Sequence, residues 1–130
     1  METALPMRPD KFDPHFISQT FFPTHSLETI NYGSCFEWAY LAFKIFHKVD
    51  ICLWSTEECN YHAFIKIGDK FYDSEAHDGR MSWRQLPCNM RNGSSIFTKA
   101  KEFKLKEYKT YWAYTEKFWQ ELDKKVDFYI

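Results

Sequence analysis

The sequence is poor in glycine, with four residues in a chain of 130. All-β sandwiches and barrels need many tight turns rich in glycine and proline, so this scarcity argues against them. The chain also has no surplus of either charge, because 17 Lys and Arg residues balance 18 Asp and Glu residues. Domains that bind nucleic acids usually carry a basic excess or stripe, and we therefore expect no nucleic-acid partner.

Other absences bear on location and on metals. The chain contains no run of about 18 apolar residues, so we expect no contact with a membrane. Residues 1–10 hold two prolines and several charges but no apolar stretch. That composition differs from a signal peptide, and we expect a cytoplasmic protein with reduced thiols. The four cysteines form no CxxC pair and no finger spacing with histidine, so the sequence predicts no structural zinc and no cofactor.

Aromatic residues are abundant at 20% of the chain, and apolar residues reach 45%. This content is enough for one core, so residues 1–130 are predicted to form a single domain, as a monomer or weak homo-oligomer. Residues 1–30 hold four of the five prolines and several phenylalanines. We interpret them as an extended arm that wraps the domain.

The pattern along the chain predicts an α+β fold. Residues 34–47 are apolar on nearly every side, as in a buried helix, and Ser34 and Glu37 have the spacing of a capping box. Strands are predicted at residues 49–54, 62–67 and 70–75, and a further strand is an open interpretation of residues 96–105. Residues 76–95 look irregular, and residues 107–126 have the spacing of an amphipathic helix whose aromatic stripe packs on the core. We therefore expect a central helix on an antiparallel sheet of three to five strands, with a C-terminal helix.

Cys35 is predicted to stand at the first position of the buried helix. The unpaired amides and the dipole of a helix N-terminus favour an anion, and the thiolate is the nucleophilic form of cysteine. The amide of Cys35 could also donate to an oxyanion. The alternative is that Cys35 is a small apolar residue that fills the core.

A histidine and two acids are predicted to share one face of the next hairpin. If Gly68 and Asp69 form a two-residue turn, His62 lies directly opposite Glu75 and diagonally opposite Asp73. A carboxylate that accepts the imidazole N–H sets its tautomer and stabilises the imidazolium. The alternative is a surface histidine beside two solvated acids, although the apolar residues on both faces of these strands indicate burial.

Three short motifs carry a family resemblance: GSCFEWA at residues 33–39, YHAFIKI at residues 61–67 and KFYD at residues 70–73. Together they resemble the catalytic core of papain-like and transglutaminase-like cysteine enzymes over residues 31–78. The resemblance implies that Cys35 is the nucleophile, His62 its base and Asp73 the residue that orients the base.

The sequence also departs from the family pattern. The stretch between the cysteine and the histidine is short for a transglutaminase, and the papain-type glutamine just before the cysteine is missing. Gln19 and Asn31 are the candidate oxyanion donors, with Asn31 favoured because it lies nearer the helix start. Glu75 is the auxiliary acid.

The function that these features predict is thiol-dependent acyl chemistry on a protein or peptide. It would be that of a cysteine peptidase, another thiol hydrolase or a transglutaminase-like acyltransferase. The alternative is a catalytically silent binding or inhibitor protein on the same scaffold, from a virus or mobile element.

The remaining histidines and cysteines receive weaker interpretations. His77, Asp78 and Glu75 offer metal ligands, but no further ligand stands at a fixed spacing, so the prediction is no metal site. His15, His25 and His47 are predicted to be surface or packing residues. Cys52 and Cys59 are assigned to packing or to a resolving thiol, and Cys88 has no predicted role.

Overall fold

The computed structural model describes residues 9–57, 62–91 and 99–129. Its helices are α1 (Pro14–Phe21), α2 (Leu27–Asn31), α3 (Cys35–Ile45), α4 (Pro87–Arg91), α5 (Leu105–Tyr111) and α6 (Glu116–Asp127), with a 3₁₀ turn at Trp83–Gln85. Its strands are β1 (Ile51–Thr56), β2 (Ala63–Ile67), β3 (Lys70–Tyr72) and β4 (Ala100–Phe103). They form one antiparallel sheet in the order β3-β2-β1-β4. The predicted α+β class is confirmed.

Helix α3 is the centre of the core and packs on β1 and β2. Its side chains from Trp38 to Ala42 are all buried, and burial of each large apolar side chain stabilises the fold by about 1.5–3 kcal/mol. Within the described ranges, no helix is both long and apolar enough to cross a membrane.

The predicted capping box at the start of α3 does not form. Ser34 precedes the helix with φ −129° and ψ 15°, and its side chain accepts no capping hydrogen bond within the described chain. By contrast, Ser26 and Thr115, which cap α2 and α6, have ψ near the extended value, at 158° and 156°. An N-cap side chain typically reaches the third amide of the helix from that extended backbone. The first turn of α3 therefore keeps its amides free of a side-chain cap.

The hairpin between β2 and β3 has the predicted register, with Ile67 opposite Lys70. Gly68 opens the turn at φ +60°, a conformation that glycine adopts without steric cost. The second strand, however, ends at Tyr72 rather than at residue 75. It ends there because the Asp73 carboxylate accepts the amide hydrogens of Glu75 and Ala76, and this local turn replaces further pairing in the sheet.

The N-terminal segment is helical where the sequence predicted an extended arm; residues 1–8 lie outside the described ranges. Pro14 occupies the first position of α1, where its missing N–H costs nothing, and the Asp13 side chain caps that helix through the His15 amide. Ser26 caps α2 in the same way. Proline content was therefore a misleading signal, because Pro14 begins a helix rather than preventing one.

The predicted C-terminal helix is divided into α5 and α6. The residues between them include Ala113 at φ +27°, and Thr115 then caps the second helix through the Phe118 amide. The aromatic stripe predicted within residues 107–126 packs on the core, as expected. Its residues Tyr108, Trp119, Leu122 and Val126 are buried. In the segment predicted to be irregular, residues 83–91 form the 3₁₀ turn and α4.

We predict that Gly79→Ala destabilises the protein. Gly79 has φ +84°, and an added Cβ would lie 3.0 Å from side-chain carbons of Lys70 and Tyr72. The left-handed conformation alone costs a non-glycine residue about 1–2 kcal/mol. We expect urea denaturation to show a loss of at least that size in the free energy of unfolding.

Gly33→Ala is the matched control. A Cβ at Gly33 would meet no atom within 4 Å in the described part of the chain, and its backbone is not left-handed. Its free energy of unfolding should stay within about 0.5 kcal/mol of the parent value. Equal effects of the two substitutions would contradict the assignment of strain to Gly79.

Candidate active site

The Asp73 carboxylate holds the imidazole of His62 in place. One of its oxygens, Oδ1, accepts the amide hydrogens of Glu75 and Ala76, both at 2.9 Å, and the other, Oδ2, lies 2.9 Å from Nε2 of His62. Both side chains are 1% exposed. Because the carboxylate accepts the Nε2 hydrogen, the second ring nitrogen, Nδ1, is the one that remains for another partner.

The backbone of His62 is held as firmly as its ring. Its N–H donates to Oγ1 of Thr56 at 2.8 Å, and its carbonyl accepts the Thr56 N–H at 3.0 Å. The pairing of β1 with β2 thus extends to the residue before β2. Hydrogen bonds with Thr56 of β1 therefore hold the backbone of His62, and the hydrogen bond with Asp73 holds its ring.

Cys35 lies at the first position of α3, as the sequence predicted, and is 5% exposed. Its sulfur accepts the amide hydrogen of Ala63 at 3.4 Å, so the start of the helix meets the start of β2. The thiol also contributes to the electrostatic environment of the His62 ring. Nδ1 of His62 is buried and has no aligned hydrogen-bond partner among the described residues. The Cys35 thiol is therefore close to the His62 ring but does not form an aligned hydrogen bond with its Nδ1.

The pKa of His62 reflects two opposing effects. Burial lowers the pKa, but the hydrogen bond with Asp73 and the thiols of Cys35 and Cys88 raise it, and together they hold it well above its ordinary value. A raised pKa favours the imidazolium, which is the charge that stabilises a thiolate partner.

Cys88 is the site residue that sequence reasoning missed. It lies buried in α4, 53 positions beyond Cys35 along the chain, and its thiol is a second sulfur beside the His62 ring. Pro87 at the first position of α4 is a typical helix-start residue and could have indicated the helix, but not its place beside His62.

Glu75 does not face His62, which corrects the predicted pairing. It receives two hydrogen bonds from the Arg91 guanidinium, at 2.6 and 2.7 Å, and one from Nδ2 of Asn31 at 3.0 Å. These bonds lower the pKa of Glu75, and the bonds from Arg91 have a larger effect than the bond from Asn31. The prediction failed because it continued β3 past Tyr72, whereas the turn at Asp73 sends Glu75 toward α2 and α4.

The two predicted oxyanion donors are not available in this arrangement. Gln19 is exposed on α1, whereas Cys35 is buried. Asn31 is buried, but its amide nitrogen already donates to Glu75. The candidates that remain are the uncapped amides at the start of α3.

The three side chains weighed as metal ligands point to different partners. Glu75 binds Arg91, Asp78 binds Arg80, and His77 contacts Ser18 and His15. In residues 9–57, 62–91 and 99–129, no group of three or more His, Cys, Asp or Glu side chains converges on a point. Cys59, the other proposed resolving thiol, lies outside the described residues.

Comparison of the chain with protein-family models, curated proteins and solved structures finds no match.

We predict that His62 makes the protein more stable at low pH than at high pH. A histidine whose folded pKa is raised contributes stability that is fully present below its unfolded pKa of about 6.5. That contribution is lost as the pH rises through the higher folded value. The free energy of unfolding, measured in urea from pH 6 to pH 9, should therefore fall more steeply for the parent than for His62→Gln. Parallel curves for the two proteins would contradict a raised pKa.

Proposed function

We propose that the protein carries out cysteine-dependent acyl chemistry on an amide or thioester of a protein or peptide. Cys35 is the nucleophile, His62 the base, and Asp73 the residue that orients the base, on a core related to those of papain-like and transglutaminase-like enzymes. The observation that carries the proposal is the position of the His62 imidazole, bonded to a buried carboxylate through Nε2 and adjacent to the Cys35 thiol. A nucleophile, a base and a third group that orients the base are the parts that such catalysis needs.

The reaction follows from these roles. Nδ1 of His62 accepts the thiol proton, and the Cys35 sulfur attacks the carbonyl carbon to give a tetrahedral intermediate. The imidazolium then returns its proton to the departing amine or thiol, which leaves a thioester on Cys35. Water completes hydrolysis of that thioester, or an amine completes transfer, with His62 again accepting the proton of the attacking group.

The uncapped first turn of α3 supplies the electrostatic part of the proposal. The amide of Cys35 and its neighbours carry the positive end of the helix dipole, and Ser34 does not occupy them. Fixed donors of this kind stabilise the negative oxygen of a tetrahedral intermediate. The missing cap thus costs helix stability but leaves donors beside the nucleophile.

Burial favours a second candidate function. The side chains of Cys35, His62 and Asp73 are 5%, 1% and 1% exposed, so a substrate must displace the groups that cover them. A catalytically silent binding or inhibitor protein would have the same triad as part of its core. The two candidates differ in the reactivity that they predict for the Cys35 sulfur.

We predict that iodoacetamide alkylates Cys35 at least about tenfold faster than Cys52, Cys59 or Cys88 at pH 6, because its sulfur has both the His62 imidazole and the uncapped first turn of α3 beside it. Cys52 is a useful internal reference. Burial and the neighbouring Glu102 and Asp50 carboxylates raise the pKa of its thiol, which keeps it protonated at that pH. The rates are measured by tandem mass spectrometry of tryptic peptides, in which fragment ions separate Cys52 from Cys59 on their shared peptide 49–66.

His62→Ala should remove the advantage of Cys35, and unfolding in urea should make the four rates similar. If Cys35 reacts no faster than Cys52 in the native protein, the acyl-transfer proposal is wrong and the silent binding protein is the better interpretation.

We predict that the two acids near the site differ in their effect on acylation. The probe is 4-nitrophenyl acetate, and the measurement is the burst of nitrophenolate that accompanies acylation of Cys35. Asp73→Asn should slow the burst by about a hundredfold or more, because the imidazole loses its orienting carboxylate. Glu75→Gln should slow it less than tenfold, because Glu75 contacts Arg91 and Asn31 rather than the imidazole.

Cys35→Ala should abolish the burst and so confirm that it reports this cysteine. Urea denaturation of each variant separates a catalytic effect from a loss of fold. A larger effect of Glu75→Gln than of Asp73→Asn would mean that Asp73 does not orient the base.

A further inference from the structure

Two histidines from distant parts of the chain meet outside the triad. His15 is exposed in the first turn of α1, and His77 is half-buried in the loop after β3. Their Nδ1 atoms are 3.0 Å apart, and the ring planes meet at 74°. The ring centroids are 4.1 Å apart, which is only 1.1 Å more than the nitrogens. The two Nδ1 atoms therefore lie at a separation that two ligands of one ion can have.

A buried serine orients the inner ring. Ser18, which is 4% exposed, has its Oγ 2.9 Å from Nε1 of Trp38, 3.1 Å from Nε2 of His77 and 3.5 Å from the carbonyl oxygen of Pro14. The hydroxyl has one proton and two lone pairs. If it donates to Pro14, its lone pairs accept the hydrogens of Trp38 and His77, and all three contacts are satisfied. This assignment places the His77 proton on Nε2 and leaves Nδ1 with a free lone pair directed toward His15.

The surroundings of His77 suit a neutral ligand beside a cation. The contact with Ser18 gives His77 the tautomer whose Nδ1 carries a lone pair. The neutral imidazole is the form that binds a metal. The carboxylates of Asp73, Asp13 and Asp78 also act on His77, and they would attract a cation.

We propose that Nδ1 of His15 and Nδ1 of His77 together bind one divalent ion of a late first-row transition metal. Imidazole nitrogen is a preferred ligand of these metals, and their ring nitrogens commonly have an outer partner, here Ser18 for His77. At a metal–nitrogen distance of about 2.0–2.1 Å, two nitrogens 3.0 Å apart subtend about 95° at the ion. That angle is close to the right angle of square-planar or octahedral coordination and smaller than the tetrahedral angle, which favours Ni²⁺ or Cu²⁺ over Zn²⁺.

The ion would join two elements that support the candidate active site. His15 belongs to α1, and His77 lies four residues after Asp73 in the loop that holds His62. Water would complete the coordination, because the described ranges bring no third His, Cys, Asp or Glu side chain to this point. Binding to the folded chain alone would raise its stability in proportion to the logarithm of metal concentration.

The test is isothermal titration calorimetry of the full reduced chain with Ni²⁺ at pH 7.5. We expect one ion per chain, and we expect His15→Ala and His77→Ala each to weaken binding by tenfold or more. His25→Ala and His47→Ala, which remove exposed histidines elsewhere, are the matched controls and should leave the affinity unchanged. Ser18→Ala should weaken binding by about tenfold, because the outer partner of a ligand histidine has an effect of that size.

Thermal denaturation gives a second readout. Ni²⁺ should raise the melting temperature of the parent and of His25→Ala, but not that of His15→Ala, whose exposed position makes it the variant least expected to disturb the fold. Failure of Ni²⁺ to bind the parent, or unchanged affinity in His15→Ala, would overturn the proposal and leave the pair as a hydrogen bond between the two rings. Neither result depends on the activity proposed for Cys35.

Discussion

The carboxylate of Asp73 is the constraint on which the rest of the site depends. It is almost completely buried, and a buried carboxylate is tolerated only when its oxygens accept hydrogen bonds. Its partners are the amides of Glu75 and Ala76 and the imidazole of His62. The two amide bonds end β3 and shape the following loop, and the imidazole bond joins that loop to the start of β2. One side chain thus determines both the course of the backbone after β3 and the orientation of the His62 imidazole.

The loop after Asp73 distributes its side chains to different elements. Asp73 reaches His62, Glu75 reaches α2 and α4 through Asn31 and Arg91, and His77 reaches α1 through Ser18. Every second residue of segment 73–77 therefore forms a hydrogen bond with a different part of the fold, and together these bonds connect the segment to the sheet and to three helices. A loop held at so many points can keep the His62 imidazole in a single tautomer, because Asp73 stays in place to accept its Nε2 hydrogen.

Local patterns predicted part of this structure well. The two-residue turn at Gly68 set the register of β2 and β3, because side chains alternate across a hairpin and the turn length determines which residues pair. The apolar run from Phe36 to Phe46, broken only by Glu37 and Lys44, predicted α3 as the buried helix. The errors came where a side-chain hydrogen bond replaced regular structure: Asp73 ended β3 before Glu75, Thr115 began a new helix, and Asp13 and Ser26 began helices in the supposed arm. Such bonds depend on backbone angles that composition does not reveal, as the uncapped Ser34 also shows.

By itself, the sequence determined the α+β class, the buried helix that begins at Cys35 and the hairpin register that places His62 and Asp73 on one face, because each follows from the period of apolar residues or the length of one turn. Only the tertiary structure decided that the Cys35 sulfur meets the start of β2, that Cys88 is a second thiol beside the imidazole, and that His15 lies against His77. Those contacts join residues 26 to 62 positions apart. They depend on how helices and loops pack on the sheet, and no local pattern encodes that packing.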